Sequence, residues 1–422
     1  MSIREGYKQT DTEEIPEEWA IRKLGDERVA RLMKAGGTPL RTRKEYYENG
    51  NIPFVRIEDI TTAGKYLNKT ELKITEKGLN NSSTWLVPKK SILYSMYASY
   101  GEAVINTIPV ATNQAIIAIL RSENVDLEYL YYSLNQIKTS LYKYLRTTTQ
   151  KNLNAKIVKN LKIPIPPLVE QRKIARILSC VDEAIQKTDE VLEKAEMLKR
   201  GLMQRLLTRG VGHTEFKETK VGKIPAEWEV VRIKNVTLEH KQGFYTNQPY
   251  SQTGVKLIRI SDLLSPKLSY KTMPHLNVDA KIFCQFKVYR GDFLIARSGA
   301  IGTYGIVTED TPAIFGSYII RFRLDSSRID NRFFGYFYES DFAAGQLLRI
   351  RQGATNININ AYNIKTMKIP LPPLSEQRKI TSILSAVDIK RDYERRNKDR
   401  LVELKKGLMQ VLLTGEVRVK VA

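Results

Sequence analysis

The sequence has few of the residues that build metal sites or disulfides. Its 422 residues include only two cysteines, Cys180 and Cys284, and three histidines. Two isolated cysteines and three scattered histidines exclude a zinc cluster with the usual ligand spacing. The polar N-terminus does not resemble a signal peptide. We therefore expect a reducing, cytoplasmic setting in which both cysteines are small core residues.

Long hydrophobic runs and catalytic signatures are also missing. No apolar run approaches the ~18 residues that a membrane-spanning helix needs. There is no glycine-rich dinucleotide loop after a strand and no P-loop. Asp59, Glu71 and Lys73 loosely match a nuclease spacing, but so loose a pattern arises by chance in most chains of this size. The sequence favours a protein without catalysis, metal or cofactor of its own, and a nuclease embedded in the chain stays an alternative.

Positive charge is what the chain has in excess. It carries 68 Lys and Arg against 46 Asp and Glu, a formal net charge of +22. Both halves of the chain are basic, so the excess does not come from one tail. A globular protein this basic typically binds a polyanion such as nucleic acid. The length predicts two or three domains, and 42% hydrophobic residues are enough to form their cores.

Two long segments of the sequence occur twice. IPIPPLVEQRKIARILSCVD, from Ile163, returns as IPLPPLSEQRKITSILSAVD, from Ile369. Each is followed by a second repeated segment, GLMQRLLT at Gly201 and GLMQVLLT at Gly407. IPEEW near the start also returns as IPAEW in the second half. The period is far too long for a solenoid, so the chain is a duplicated module in which a domain is followed by a helix.

The regions between these segments predict two domains of mixed α/β (α+β) class with many short strands. The alternation of proline and apolar residues in IPIPPL and IPLPPL predicts a short edge strand, and the prolines prevent the helix that follows from starting before Leu168 or Leu374. The predicted strands are 52–57, 115–120, 256–260, 292–296 and 318–324, and the predicted domain helices are 127–146 and 331–349.

Each repeated segment is followed by a coiled-coil pattern. From Ile174 to Leu206, ten positions follow alternating spacings of four and three over about five heptads, and all are apolar or small except Lys199. The middles of the two copies differ in charge: 189–196 is acidic and 391–400 is basic. An antiparallel pair places these two stretches side by side. We expect two similar domains at opposite ends of a rod, with a pseudo-two-fold internal repeat; about 38 helical residues span about 57 Å.

The doubled pattern PPLxEQRKIxxILSxxD, leading to a helix that ends in GLMQxLLT, resembles the specificity subunit of Type I restriction–modification systems. GGTPLR at Gly36–Arg41 and RSGAIGTYGIV at Arg297–Val307 are similar to features of the two target-recognition domains of that family. SMYASYGEAVI at Ser95–Ile105 departs from the family, which more often has Ser-Gly there. The resemblance covers nearly the whole chain.

The resemblance implies a division of the chain and a function. Residues 1–168 and 209–374 would be target-recognition domains, 169–208 and 375–415 spacer helices, and 416–422 a C-terminal tail. Each domain would read one half of a bipartite, asymmetric target in double-stranded DNA, while the helices set the gap. The implied partners are two methyltransferase subunits, which would use S-adenosylmethionine, and restriction (motor–nuclease) subunits, which would use ATP and Mg. The alternative is a stand-alone, two-headed architectural DNA-binding protein with a coiled-coil spacer.

DNA-reading side chains are expected on loops of the two domains, as polar and basic residues surrounded by phosphate contacts. Each candidate could equally be an ordinary solvated side chain. The candidates for DNA binding are Arg41, Arg43, Lys44, Tyr97, Tyr100, Gln150, Lys151, Lys241, Tyr245, Arg297, Ser298, Tyr304, Arg351, Gln352 and Asn356. Coiled-coil packing alone does not account for the repeated polar segment EQRK. The repetition of this segment therefore predicts partner binding by Glu170, Gln171, Arg172, Lys173, Glu376, Gln377, Arg378 and Lys379.

Overall fold

The structure is a computed structural model that describes residues 4–10, 14–97, 99–147, 153–351 and 358–420. It divides into two compact units, the first comprising Met1–Asp189 with Arg396–Ala422 and the second Glu190–Arg395. Each unit therefore contains one domain, the beginning of the long helix that follows that domain, and the end of the other long helix. Within the described ranges, no helix is both long and apolar enough to cross a membrane.

The described part of the first unit contains short strands, five helices that begin in it, and the end of a sixth that begins in the second unit; the fifth helix continues into the second unit. A short 3-10 helix lies at Lys44–Tyr46. The strands are β1 (Tyr7–Gln9), β2 (Glu14–Pro16), β3 (Ala20–Lys23), β4 (Ala30–Ala35), β5 (Ile52–Val55), β6 (Tyr66–Leu67), β7 (Leu72–Ile74), β8 (Ile92–Ser95), β9 (Ala103–Asn106), β10 (Ala111–Thr112), β11 (Ile116–Arg121) and β12 (Lys162–Ile165). The helices are α1 (Ile57–Thr62), α2 (Glu76–Asn80), α3 (Leu127–Thr147), α4 (Ala155–Lys159) and α5 (Leu168–Arg209).

The second unit has the same kind of construction, with 3-10 helices at Ile233–Val236 and Ile260–Asp262. Its strands are β13 (Phe216–Thr219), β14 (Gly222–Pro225), β15 (Glu229–Arg232), β16 (Thr237–Gln242), β17 (Val255–Ile258), β18 (Leu263–Leu264), β19 (Lys267–Leu268), β20 (His275–Leu276), β21 (Phe293–Ala296), β22 (Tyr304–Ile306), β23 (Ala313–Phe315), β24 (Ile319–Leu324) and β25 (Lys368–Leu371). Its helices are α6 (Ala280–Phe286), α7 (Asn331–Glu339), α8 (Asp341–Ile350), α9 (Ala361–Thr366) and α10 (Leu374–Leu413), of which α10 ends in the first unit.

The two domains share most of their sheet topology: four strands of the central sheet have the same order, and the first unit adds the parallel edge strand β6. The central sheet has the order β4-β11-β8-β9-β6 in the first unit and β16-β24-β21-β22 in the second. A second sheet combines a parallel pair, β5 with β10 or β17 with β23, and an antiparallel neighbour, β7 or β20. The duplication therefore extends from the repeated segments to the fold of the domains between them.

The central sheets are buried on both faces because successive side chains of a strand point to opposite sides. In β11, Ile117 and Ile119 join the core that contains α3, whereas Ile116 and Ala118 join a second core on the other face. This explains why the strand reads as a continuous apolar run rather than an alternating one. The five predicted strands are confirmed within two residues at each end; 52–57 ends early at Val55, before α1, and 256–260 ends early at Ile258.

The predicted helices are confirmed, with one difference. Helix α3 matches 127–146, but the equivalent stretch 331–349 forms two helices that are separated at Ser340. The Ser340 side chain accepts a hydrogen bond from the backbone N–H of Ala343 and so caps the second helix. The cysteine prediction is wrong, because both Cys180 and Cys284 are exposed; each lies on a helix and faces solvent.

The proline-containing segments form the predicted short strands. Strand β12 pairs with β3, and β25 pairs with β15, both antiparallel. The long helices α5 and α10 begin at Leu168 and Leu374, directly after the prolines. Each long helix is therefore preceded directly by a strand that is paired with one other strand of its domain.

The two long helices pack antiparallel in each unit, and their heptad positions are buried or half-buried. In the first unit, the Lys398 ammonium lies 2.5 Å from the Asp189 carboxylate. In the second unit, the Arg391 guanidinium lies 3.1 Å from Glu196. The expected contact between the acidic stretch of one helix and the basic stretch of the other is confirmed.

Candidate DNA-binding surface and repeated helix junctions

A buried glutamate joins the first domain to the start of its long helix. The indole Nε1 of Trp19, in the IPEEW segment, donates a 3.1 Å hydrogen bond to Glu170 near the start of α5. Arg418, which follows the end of α10, donates to both oxygens of the same carboxylate, at 2.8 and 3.0 Å. The hydrogen bond to Glu170 raises the pKa of Arg418. One carboxylate therefore holds three segments of the first unit together.

The second unit repeats this junction with a different cation. Trp228, in the IPAEW segment, donates through Nε1 to Glu376 at 2.9 Å. The backbone N–H of Val211 is 2.9 Å, and Nε2 of His213 is 2.8 Å, from Oε1 of the same carboxylate. His213 follows the end of α5 just as Arg418 follows the end of α10. The two glutamates of the repeated EQRK therefore have the same role: each joins a domain tryptophan to the segment that follows a long helix.

A glycine allows each helix end to approach the tryptophan. Gly210 has φ +63° and Gly415 has φ +77°, in the left-handed region that favours glycine. A Cβ on Gly210 would lie 2.7 Å from the Trp228 ring, and one on Gly415 would lie 3.2 Å from the Trp19 ring. Both the backbone conformation and the close packing therefore require glycine after LLT or LLTR.

The glutamine of each EQRK segment is also bonded within its own unit. Gln171 accepts from the backbone N–H of Asp126 at 2.8 Å and donates to the Pro166 carbonyl at 2.8 Å. Gln377 makes the equivalent bonds to Asp330 and Pro372, each at 2.8 Å. Each glutamine fixes the loop before α3 or α7 onto the start of a long helix.

These contacts correct the predicted docking surface. Glu170, Gln171 and Gln377 have no exposed surface, and Glu376 is 9% exposed. Because they are buried, these four side chains are not available to a partner. They recur because they make the same hydrogen bonds within each unit. The remaining four residues of the two EQRK segments are exposed and stay candidates for docking: Arg172, Lys173, Arg378 and Lys379.

A second repeated junction, which sequence reasoning missed, links a domain tyrosine to both long helices. In the first unit, the Tyr132 hydroxyl donates to Asp182 at 2.6 Å, and the Lys405 ammonium lies 2.6 Å from the same carboxylate. We call this cluster, Tyr132, Asp182 and Lys405, the first clasp. Burial and the hydrogen bond to Asp182 raise the pKa of Tyr132 well above its ordinary value.

The second clasp consists of Tyr336, Asp388 and Lys199. The Tyr336 hydroxyl donates to Asp388 at 2.8 Å, and Lys199 lies 3.0 Å from Asp388 and 2.9 Å from Glu339. The aspartates end the repeated ILSCVD and ILSAVD, and the lysines precede GLMQ by two residues. The signal was therefore present in the repeats.

The first-unit DNA candidates lie mainly beyond the end of β4. Arg41, Arg43 and Lys44 are exposed, and Lys44 is 3.9 Å from Glu48. Tyr97 is 40% exposed in the loop after β8, whereas Tyr100 in the same loop packs partly against the core. The structure brings the loop after β8 next to β11, since Met96 N–H donates to the Ala115 carbonyl at 2.8 Å. Gln150 and Lys151 lie outside the described residues.

In the second unit, the candidates from β16 and from the segment after α8 are accessible. Lys241 is half-buried at the end of β16, Tyr245 is 70% exposed beyond it, and Arg351 is exposed. Gln352 and Asn356 lie outside the described residues.

Arg297 and Ser298 lie where three chain segments meet. The Arg297 N–H donates to the Tyr318 carbonyl, and the Arg297 carbonyl accepts from Ile359, both at 2.9 Å. Ser298 pairs with Asn358 through a β-bridge. The Nε of Arg297 is buried without a hydrogen-bond partner among the described residues. Tyr318, 60% exposed beside this arginine, was missed because it reads as the start of a strand.

Tyr304 is a correction to the predicted DNA contacts. It is 1% exposed, its ring stacks on Phe293 with centroids 4.8 Å apart, and its hydroxyl donates to Glu339 at 2.8 Å. Burial, together with the nearby Glu339, raises its pKa well above the ordinary value. A tyrosine in strand β22 with this packing belongs to the core and cannot contact DNA.

The loose nuclease pattern also has a structural explanation. Asp59 accepts hydrogen bonds from the backbone N–H groups of Arg56, at 2.8 Å, and Glu71, at 3.2 Å. In the second unit, Asp262 accepts equivalently from Arg259 N–H at 2.8 Å. Both aspartates fix the turn after a strand of the second sheet. Among the described residues no group of three potential ligands could hold a metal ion.

Comparison with known proteins gives the family. The Type I restriction modification DNA specificity domain matches the chain twice, over residues 16–197 and 225–403. The chain is 29% identical to the Type I restriction enzyme MjaVIII specificity subunit of Methanocaldococcus jannaschii, over 99% of this chain and 97% of that subunit. It is 22% identical to the EcoBI specificity subunit of Escherichia coli, over 78% of this chain and 71% of that subunit.

Two solved structures have a similar fold. One chain, from a study of complex assembly and conformational transition of the type I R-M system, has a TM-score of 0.61 and 18% identity, with coverage of 96% of this chain and 99% of that chain. The S subunit from M. genitalium has a TM-score of 0.56 and 16% identity, with coverage of 96% and 98%. The family match covers most of the chain, once per domain, and the chain therefore belongs to the Type I restriction modification DNA specificity family.

Proposed function

We propose that this chain is the DNA sequence-recognition subunit of a Type I restriction–modification complex and that each unit reads one half of a bipartite, asymmetric target. The observation that carries the proposal is a strand order shared by four strands of both central sheets and followed by different loop residues. At the equivalent position after β8 and β21, the first domain has buried Met96, and the second has Arg297, whose Nε has no hydrogen-bond partner among the described residues. Because arginine reads guanine through its hydrogen-bond donors and methionine cannot, the two domains suit different half-sites.

The long helices are the proposed docking place for two methyltransferase subunits. Two equivalent exposed pairs, Arg172 with Lys173 and Arg378 with Lys379, lie beside the buried Glu-Gln pairs that fix each helix start. Two equivalent surfaces support two copies of one partner, with restriction (motor–nuclease) subunits completing the complex. S-adenosylmethionine, ATP and Mg belong to those partners, and this chain supplies specificity without catalysis, in the cytoplasm. Membership of the family does not favour a stand-alone architectural role.

The test is to map methylated adenines in the source genome with and without the gene for this chain. We expect one bipartite, non-palindromic motif to lose methylation on both strands when the gene is deleted and to regain it when the gene is restored. Unchanged methylation in the deletion strain, with the partner methyltransferase subunit expressed, would contradict the proposal.

The chain alone should bind DNA weakly and with little selectivity, and should gain selectivity with its methyltransferase partner. Its basic surface supports binding to any duplex, and this affinity should fall steeply with salt because binding releases counterions. Anisotropy with target and scrambled duplexes measures both effects. Tight, selective and salt-insensitive binding by the isolated chain would contradict this expectation.

A further inference from the structure

In both units, a lysine on the outer strand of the central sheet lies over an aromatic ring. The Nζ of Lys34, on β4, is 5.4 Å from the centroid of the Trp85 ring. The Nζ of Lys241, on β16, is 4.6 Å from the centroid of the Phe286 ring. In the sequence, each aromatic residue comes seven residues before the first residue of a central-sheet strand, β8 or β21. The tryptophan and the phenylalanine differ, but the contact is the same.

The register of the sheets shows that the two lysines are equivalent. Lys34 lies opposite Ala118 of β11, which lies opposite Leu93 of β8. Lys241 lies opposite Arg321 of β24, which lies opposite Leu294 of β21. Leu93 and Leu294 are the second residues of strands that occupy the same place in the two sheets. Hence the lysines occupy one position of a shared framework.

The backbone after each lysine is also constrained in the same way. Gly36 and Gly243 follow the lysines by two residues, and a Cβ on either would collide with a backbone oxygen, that of Thr112 or of Gly316. The close approach ends the strand at the same point in each unit. Beyond it lie exposed candidates for DNA binding, Arg41 in the first unit and Tyr245 in the second.

The charge of both lysines is available to a ligand. An aromatic face attracts an ammonium group without neutralising it. Neither lysine has a carboxylate within ion-pair distance among the described residues, and Lys34 is exposed while Lys241 is half-buried. The nearest acidic residue on β16, Glu239, is already paired with Arg321 and Arg323.

We propose that Lys34 and Lys241 are equivalent contacts to DNA backbone phosphates, one in each reading domain, and that Trp85 and Phe286 orient them. The proposal rests on the proposed DNA-reading function. Loops that read different bases differ between the two domains, whereas a phosphate is identical in every sequence. A cation that recurs at one framework position therefore suits the common ligand, and phosphate contacts fix the position of a protein on the duplex.

The test uses Lys34→Gln, Lys241→Gln and the double variant, each assembled with the methyltransferase partner. Anisotropy is measured with target and scrambled duplexes between about 50 and 300 mM salt. Each single variant should weaken binding to both duplexes by a similar factor, about 3- to 10-fold. It should also make the negative slope of log K against log salt less steep by about 0.9. The double variant should lower the slope by about twice as much. Methylation mapping should return the unchanged motif.

Control variants separate a phosphate contact from the loss of one positive charge. Lys23→Gln and Lys234→Gln remove exposed lysines that lie over no aromatic ring of the described residues, and they should leave the slope unchanged. Trp85→Leu and Phe286→Leu should reproduce part of the loss although they keep the lysine. A changed motif would show base reading and overturn the proposal, as would an unchanged slope. If the wild-type complex failed to distinguish target from scrambled DNA, the proposed function itself would fail, and the two results are separable.

Discussion

The ammonium group of Lys199 lies 3.0 Å from Oδ1 of Asp388. The lysine belongs to the end of α5 and the aspartate to the beginning of α10, and Lys405 with Asp182 repeats the pair in the other unit. The two repeated segments of the sequence therefore meet each other: the start of one long helix packs on the end of the other. This pairing explains why the segments recur almost unchanged although the domains between them differ.

Substitution of Lys199 by methionine should destabilise the protein more than the equivalent substitution of Lys405. The Lys199 side chain is 7% exposed and pairs with two carboxylates, Glu339 and Asp388, whereas that of Lys405 is 26% exposed and pairs with Asp182 alone. Removal of this buried cation takes an ion pair from the half-buried Glu339 and leaves Asp388 paired with Arg391, 3.0 Å away. The cost in the free energy of unfolding should therefore lie near the lower end of the roughly 3–5 kcal/mol that is typical of a broken buried pair. For Lys405→Met we expect about 1 kcal/mol, because solvent screens the pair.

Urea denaturation of the two variants measures this difference. Lys187→Met, at an exposed position of α5, is the matched control and should change stability by less than about 0.5 kcal/mol. Equal losses for Lys199→Met and Lys405→Met would show that burial and the second carboxylate do not decide the cost.

Substitution of Glu376 by glutamine should weaken the junction of the second unit. Trp228 N–H, Val211 N–H and His213 all bond to the Glu376 carboxylate, and an amide cannot accept from all three with the same geometry. A buried donor left without its acceptor costs about 1–3 kcal/mol. Thermal unfolding should show this loss for Glu376→Gln but not for Glu193→Gln, an exposed position on α5. Wild-type stability of Glu376→Gln would mean that the carboxylate is dispensable.

The repeats and the hydrophobic periodicity made the long helices and the main strands predictable. Proline before Leu168 and Leu374 fixes where the long helices begin, and the heptad spacing fixes the buried side of α5. Strand β11 was predictable as a continuous apolar run because both of its faces are covered. Ser340 shows the limit: a hydroxyl that caps a helix is not distinguishable in sequence from a serine within one, so the break between α7 and α8 was missed.

The site was less predictable because function and packing use the same residue types. Glu170 and Gln171 are polar and repeated, as a docking surface would be, but they bond within the chain. The partners of Glu170 are Trp19 and Arg418, both far away in the sequence, and those of Gln171 are backbone groups. Tyr304 follows a glycine-rich loop, yet its ring stacks on Phe293 in the core. Lys34 was missed because its equivalence to Lys241 depends on strand register, which the diverged sequences hide.

Exchange of residues 1–165 for the equivalent part of another such subunit should change one half of the methylated motif only. The core of the first unit is separate from that of the second, so the domain can be replaced as a body. It also contacts Met409, Leu412 and Leu413 of α10, and the donor must keep apolar residues there. Methylation mapping of the hybrid is the measurement. A motif altered in both halves would contradict independent reading.

Insertion of residues into the long helices should change the gap between the half-sites and leave the recognised bases unaltered. Four residues added near Thr188 lengthen α5 by about 6 Å at 1.5 Å per residue, close to two base pairs at about 3.4 Å each. They also add about 400° of rotation, which nearly preserves the helical face. A single added residue rotates the remainder of the helix by about 100° and should abolish methylation.

The ion pairs of the helices indicate a sharper version of this experiment. Insertion after Asp189 in α5 and after Arg395 in α10 keeps each of the following interhelical pairs within one unit: Asp182–Lys405, Asp189–Lys398, Glu196–Arg391 and Lys199–Asp388. The paired insertion should therefore retain more activity than the insertion in α5 alone, because neither helix has to bulge against a shorter partner. Both variants should methylate a motif whose gap is about two base pairs longer. Full activity on the original gap would show that helix length does not determine it.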